Sequence, residues 1–255
     1  MINNRYIKLF FVACSSLAIV MACKKNTLTV SPYEYTDGQA LFKINYSSPY
    51  AKNPAVQLRI NGIKVSNGIT YSTPFPGGGL NTGGSNNADY LGIPAGSNEV
   101  SLSIVKVGTN EDSIVLYKTP VEVIANAYQT LHITDTAAAT TSVLLQDASS
   151  KADSGVAKYR FINLIPNSNL DLYAGTVKVA SNIAYKAVTD TFSAAAGSNP
   201  VWSLRLAGSG TTLGTTYQNT GTTTNQRVFT IYSRGYVAPA TSDIRSAKIS
   251  FVYNK

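Results

Sequence analysis

Residues 56–65 read Val-Gln-Leu-Arg-Ile-Asn-Gly-Ile-Lys-Val. Val56, Leu58 and Ile60 alternate with Gln57, Arg59 and Asn61. That is the period-two pattern of a strand with one apolar face. Asn61-Gly62 then separates this run from Ile63-Lys64-Val65. Asn-Gly between two short runs is a strong hairpin signal, because the favoured two-residue turn needs a positive φ at both positions. The segment predicts two antiparallel strands.

The same rhythm runs outward from it. Val100, Leu102 and Ile104 alternate with Ser101 and Ser103, and Val121 and Val123 flank Glu122. Trp202, Leu204 and Leu206 alternate with Ser203 and Arg205. Phe229 and Ile231 flank Thr230, and Ile249, Phe251 and Tyr253 close the chain. No stretch carries the apolar stripe of a helix. Ala137–Ala139 and Ala194–Ala196 are too short and sit among Thr, Ser and Gly. Charged residues make up only 13% of the chain, about half the usual share, and helices need such residues on their wet face. Many short strands at regular turn spacing predict an all-β chain of β-sandwiches.

The chain also repeats itself. Lys64-Val65 through Ile69-Thr70-Tyr71 matches Lys178-Val179 through Ile183-Ala184-Tyr185. Ala95-Gly96-Ser97-Asn98 matches Ala196-Gly197-Ser198-Asn199. The opening strands correspond too, Ala40-Leu41-Phe42-Lys43-Ile44-Asn45 against Ala157-Lys158-Tyr159-Arg160-Phe161-Ile162-Asn163. Two tandem modules follow, at 37–146 and 156–255. The first copy is longer between the two repeated blocks. The excess is Pro74–Leu91, rich in Gly and Asn, which reads as a long mobile loop, residues 74–91, projecting from the first module. Residues 147–155, small and polar, read as the linker.

Copy two carries a family pattern. Residues 157–192, followed by Ala196-Gly197-Ser198, resemble domain-of-unknown-function family 4397. That family shows Arg-Phe-Val-Asn-Leu, a Pro-containing loop, then Val-Ala-Ser-Asn-Val-Ala-Tyr and an Ala-Gly turn. The pattern is weaker in copy one, where Ile44-Asn45-Tyr46-Ser47-Ser48-Pro49 carries one extra residue before the proline. The resemblance implies immunoglobulin-like or transthyretin-like sandwiches in envelope and secreted bacterial proteins. It implies no reaction.

At the N-terminus, Arg5 and Lys8 precede the apolar run Leu9–Met21. That run suits a signal peptide and falls short of the ~20 residues that span a bilayer. Val20-Met21-Ala22-Cys23 follows. It resembles the lipobox of bacterial lipoproteins, with an aliphatic at −3, a small residue at −1 and the lipidated Cys at +1; Met at −2 is less usual. Residues 1–22 are therefore expected to be a signal peptide, Cys23 the lipid attachment site, and 23–36 the tether. Lys24 after the Cys, in place of Asp, favours the outer membrane by the same resemblance. Which face of that membrane is left open. With Cys14 in the signal peptide, Cys23 is the last thiol and no disulfide can form within the mature chain.

The inventory of reactive groups is thin. The net charge of +8 is scattered, whereas nucleic-acid binding needs clustered cations. His132 is the single histidine and lies in a strand-like run, where it is expected to face solvent or a partner. No Gly-x-Ser-x-Gly elbow accompanies it, and zinc needs more ligands. Glu111-Asp112, and Asp147 with Asp153, are the nearest acidic pairings and lack the spacing of a calcium loop. No catalytic, cofactor or metal residue is assigned. Tyr is abundant, at 16 residues, and Tyr and Trp suit sugar or protein contacts. Tyr90, in the inserted loop, and Trp202 are the candidate ligand contacts. The expectation is a non-enzymatic binding or adhesion module for protein or polysaccharide, anchored to the membrane by its lipid. The alternatives are a structural or assembly component of the envelope and, more remotely, a carboxylate-based hydrolase.

Overall fold

Asn61 has φ 50° and Gly62 φ 78°, so the turn has the two left-handed residues that its sequence predicts. Across it Ile60 pairs with Ile63 and Arg59 with Lys64. The computed structural model describes residues 37–105, 112–221 and 224–255, and throughout them strands dominate. Cys23 and the tether lie outside the described residues.

The first half contains β1 (Gln39–Ser47), β2 (Val56–Ile60), β3 (Ile63–Lys64), β4 (Thr73–Phe75), β5 (Gly79–Leu80), β6 (Leu91–Pro94), β7 (Gly96–Val105), β8 (Asp112–Val123), β9 (Tyr128–Thr134) and β10 (Thr141–Gln146). One 3-10 turn, Ala137–Ala139, precedes β10. The second half contains β11 (Val156–Asn163), β12 (Leu170–Ala174), β13 (Val177–Ile183), β14 (Phe192–Ala195), β15 (Val201–Leu206), β16 (Thr212–Gln218), β17 (Val228–Arg234) and β18 (Lys248–Tyr253).

These strands make four sheets, and the same pairings recur in both halves. In the first, β9 lies between β10 and β1, and β1 also pairs with β6 and β4. In the second, β17 lies between β18 and β11, and β11 also pairs with β14. The β1–β9 and β11–β17 pairs are both parallel. The facing sheets run β3-β2-β7-β8 and β13-β12-β15-β16. The repeated Lys-Val blocks both start on the hairpin partner of the second strand, β3 and β13. The repeated Ala-Gly turns both carry the chain between sheets, with Gly96 at φ 96° and Gly197 at φ 80°.

Each half is a sandwich with its own core. Phe42, Ile44, Leu131 and Ile133 on one sheet meet Val56, Leu58, Val100, Leu102 and Val121 on the other. In the second half, Tyr159, Phe161, Phe229, Ile231 and Phe251 meet Leu170, Leu172, Trp202 and Leu204. The inner sheets of the two sandwiches, led by β1 and β11, then bury their other faces as well. Leu145, Ile162, Leu164, Tyr232 and Val252 form a third, smaller apolar cluster there. Around it lie Lys43, Asn45, Thr130, His132, Thr230, Ser250 and Asn254, all buried and all polar.

The inserted segment departs from its expected form. Residues 74–91 do not project as a mobile loop. Gly79 and Leu80 form β5, which adds antiparallel to the edge of β18, pairing Val252 with Gly79 and Phe251 with Leu80. Leu80 is buried in the core of the second sandwich. A Cβ on Gly79 would lie 1.5 Å from the Phe251 carbonyl oxygen, so only glycine permits this approach. The many glycines here serve close packing rather than freedom. The linker is likewise anchored, with Asp147 and Ala152 buried.

Candidate functional site

Of the two candidate ligand contacts, Trp202 is 3% exposed and belongs to the core. Its ring lies 5.2 Å from that of Tyr159 and 5.7 Å from that of Phe251. An indole at the start of a strand faces inward here because its position alternates in phase with Leu204. It offers no platform to a ligand. Tyr90 is not at a loop tip. Its ring meets Tyr128 edge-on at 5.0 Å, and the Lys43 ammonium lies 4.2 Å from its centroid. The two candidates are not brought together. They fall on different layers, Trp202 in the second sandwich and Tyr90 between the sandwiches.

Tyr90 leads into a buried polar network. Its hydroxyl donates to Asp147 Oδ2 at 2.9 Å, and Thr130 Oγ1 donates to the same oxygen. Arg160 Nη2 pairs with Asp147 Oδ1 at 3.1 Å, and its Nε reaches Thr230 Oγ1. Lys43 Nζ donates to the Tyr253 carbonyl at 2.6 Å, across the two inner sheets. Burial pushes the Asp147 carboxyl up, against the pull of Thr130, Arg160, Tyr90 and Lys43. Burial likewise lowers Lys43 to about 8, although Asp147 and Asp89 support its charge. A buried ion pair stripped of one partner is strongly destabilising, so the network ties the two sandwiches together only while it is whole.

His132 does not face solvent. It is fully buried on β9, on the polar face opposite Leu131 and Ile133. Asn45 Nδ2 donates to its Nδ1 at 3.0 Å, which leaves the ring proton on Nε2, buried without a partner. Burial, with the charges of Arg160 and Lys43, lowers its pKa to about 3. The ring is neutral at physiological pH.

Asp147 and Asp153 differ in burial. Asp147 is buried, Asp153 is exposed, and Glu111 lies outside the described residues. Asp171, on β12, is buried too. Burial would raise its carboxyl, but Lys178, at 2.7 Å, and the amides of Asn182 and Gly208 outweigh that and hold it below the usual range. Among the described residues no three His, Cys, Asp or Glu gather around a common point.

Sequence reasoning missed the Lys43–Asp147–Arg160 network. A signal existed. Lys43 and Arg160 occupy the same place in the two repeated opening strands, so a cation recurs amid strand residues of a charge-poor chain.

The described residues also line surface depressions. One of about 660 Å³ is lined by Asn167, Asn169, Asn182, Leu206, Tyr236 and Val237. Another, of about 470 Å³, is lined by Tyr128, Lys151, Gln226, Arg227 and Lys255. A third, of about 310 Å³, lies between the inserted segment and the second sandwich, and its walls include Tyr71, Thr82, Arg234 and Lys248.

Residues 43–169 match the family model described as domain of unknown function, DUF4397. The match supports the DUF4397 domain family over those residues. It starts on β1, runs through the first sandwich and ends just before β12, at the loop after β11. The DUF4397 match thus falls mainly on the first half of the described strands, whereas the sequence pattern looks clearer in the second. None of the curated proteins compared with the chain matches it.

Proposed function

We propose that this is a lipid-anchored envelope protein, built from two copies of one sandwich module, which binds a protein or polysaccharide partner without catalysis. The observation that carries this reading is the use made of the perturbed ionisable groups. Active sites gather such groups in an open cleft. Here Lys43, His132, Asp147 and Arg160 are turned into the layer between two sandwiches, where Arg160 pairs with Asp147, Lys43 donates to a backbone carbonyl and His132 accepts from Asn45. They hold the modules in one body and leave the outer sheets and loops as the contact surface. Recurrence of the strand pairings in both halves supports duplication of one module. The lipobox supports the anchor.

Two linked measurements test the proposal. Cys23→Ser is expected to abolish incorporation of a labelled fatty acid and to release the chain from membranes; persistent labelling would overturn the lipid site. Protease treatment of intact cells is expected to remove the wild-type chain. Protection until the outer membrane is opened would favour the second reading, a periplasmic assembly component, and a stable crosslinked partner would then identify it.

A further inference from the structure

We propose that the 310 Å³ cleft between the inserted segment and the second sandwich binds a single oxyanion group, a carboxylate, sulfate or phosphate. The site stands on its own geometry and does not depend on the envelope reading.

Its walls come from three places: Tyr71 and Ser72 before β4, Asn81 to Gly83 after β5, and Arg234, Ile244 and Lys248 around the ends of β17 and β18. Two cations share it. Arg234 is 7% exposed, a degree of burial that normally demands a carboxylate partner. Among the described residues neither Arg234 nor Lys248 has one in an ion pair; the pairs present are Lys118–Glu99, Arg160–Asp147, Lys178–Asp171 and Arg245–Asp243. Asp243, the acid whose charge acts on Lys248, takes three bonds from Arg245, through its backbone amide, Nε and Nη2.

Neutral groups hold the Arg234 guanidinium in place. Nε donates to Ser250 Oγ at 2.8 Å, Nη2 to the Asn81 carbonyl at 3.4 Å, and the Tyr71 ring lies 5.0 Å from the guanidinium carbon. A fixed guanidinium loses little freedom on meeting an anion. Lys248 is lowered by burial and then by the charge of Arg234, even though Asp243 opposes this. The two cations therefore repel one another in a partly desolvated space, and a bound anion would relieve both. The cleft also holds donors without acceptors. Thr82 Oγ1 is buried with no partner, and the Tyr71 hydroxyl, pushed up by burial and held back by the Arg234 guanidinium beside it, has no acceptor for its own proton. An oxyanion offers several acceptor oxygens to such a set.

The test is titration of the full mature chain by heteronuclear NMR in chloride buffer at constant ionic strength. The probes are sodium sulfate, sodium phosphate and sodium glucuronate, with glucose as the uncharged control. Saturable shifts at Arg234, Thr82 and Lys248 are expected for at least one probe, with Kd about millimolar. Lys248→Gln, at a half-exposed position that should not disturb folding, is expected to weaken binding at least about tenfold; Thr82→Val should weaken it less. Lys64→Gln, on an exposed hairpin, should leave it unchanged. Binding of glucuronate alone would assign a carboxylate ligand, and of sulfate or phosphate alone a tetrahedral ester. Absence of saturable shifts with all three probes would overturn the site. So would equal weakening by Lys64→Gln and Lys248→Gln, which would mark diffuse surface charge.

Discussion

His132 lies one residue from Leu131 on one side and Ile133 on the other, and alternation turns it away from their core. That much follows from period two. What covers it does not, and the expectation of a solvent-facing ring fails because a second sheet lies over it. The consequence is a pH dependence of known sign. The folded pKa of about 3 is far below the usual 6.5. In the unfolded chain the ring takes a proton as pH falls through 6.5, while in the folded protein it does not. Its contribution is therefore present above pH 6.5 and lost as pH falls toward 3. Asp147, with a raised carboxyl, slopes the other way, so the effect is isolated by comparison with a variant. Between pH 7 and 5, wild type is expected to lose about 2 kcal/mol more stability than His132→Gln. Urea midpoints for the two proteins at both pH values measure this, and parallel losses would refute a neutral buried ring.

Among the elements, the β2–β3 hairpin was legible because its turn is local. Asn61 and Gly62 declare the two positive φ values that the loop needs. The inserted segment was not legible, because glycine has two readings. It loosens a chain exposed to water, and it permits backbone contact where nothing larger fits. Gly79 serves the second purpose, against Phe251 at the edge of β18. Gly79→Val is expected to detach β5, cost about 1–3 kcal/mol, and speed proteolytic cleavage within residues 74–91. Denaturant melts and timed protease digestion check both parts. Unchanged cleavage would mean that β5 adds nothing to the edge it covers. The same strand shields an otherwise open edge of the sheet from pairing with other chains.

For the whole molecule, the two sandwiches are expected to unfold together. Lys43 on β1 bonds to the Tyr253 carbonyl on β18, Thr134 to the Leu164 carbonyl, and Ser72 to the Tyr232 hydroxyl. Tyr232, Ile162 and Val252 bury their side chains only where the first sandwich covers them. Calorimetry of the mature chain is expected to show one transition. Residues 156–255 expressed alone lack β5 and the cover over this face, and should melt at least about 10 °C lower and bind a hydrophobic dye. Two resolved transitions in the intact chain, or a fragment as stable as the whole, would count against a shared unit.

The amino-acid sequence by itself determined the all-β class, the strand rhythm and the hairpin turn. Each of these is written in residues close along the chain, where spacing and turn chemistry act directly. The tertiary structure alone decided where the polar strand faces go. Alternation records that the two faces of β1, β9, β11 and β17 differ, and a polar face is read as wet. In this protein two polar faces meet each other, and Lys43, His132, Asp147 and Arg160 exchange water for protein surroundings. Tyr90, Trp202 and the glycine-rich insert took their places for the same reason. Their environment is set by contacts between residues far apart in sequence, and no local pattern encodes which distant surface will cover them.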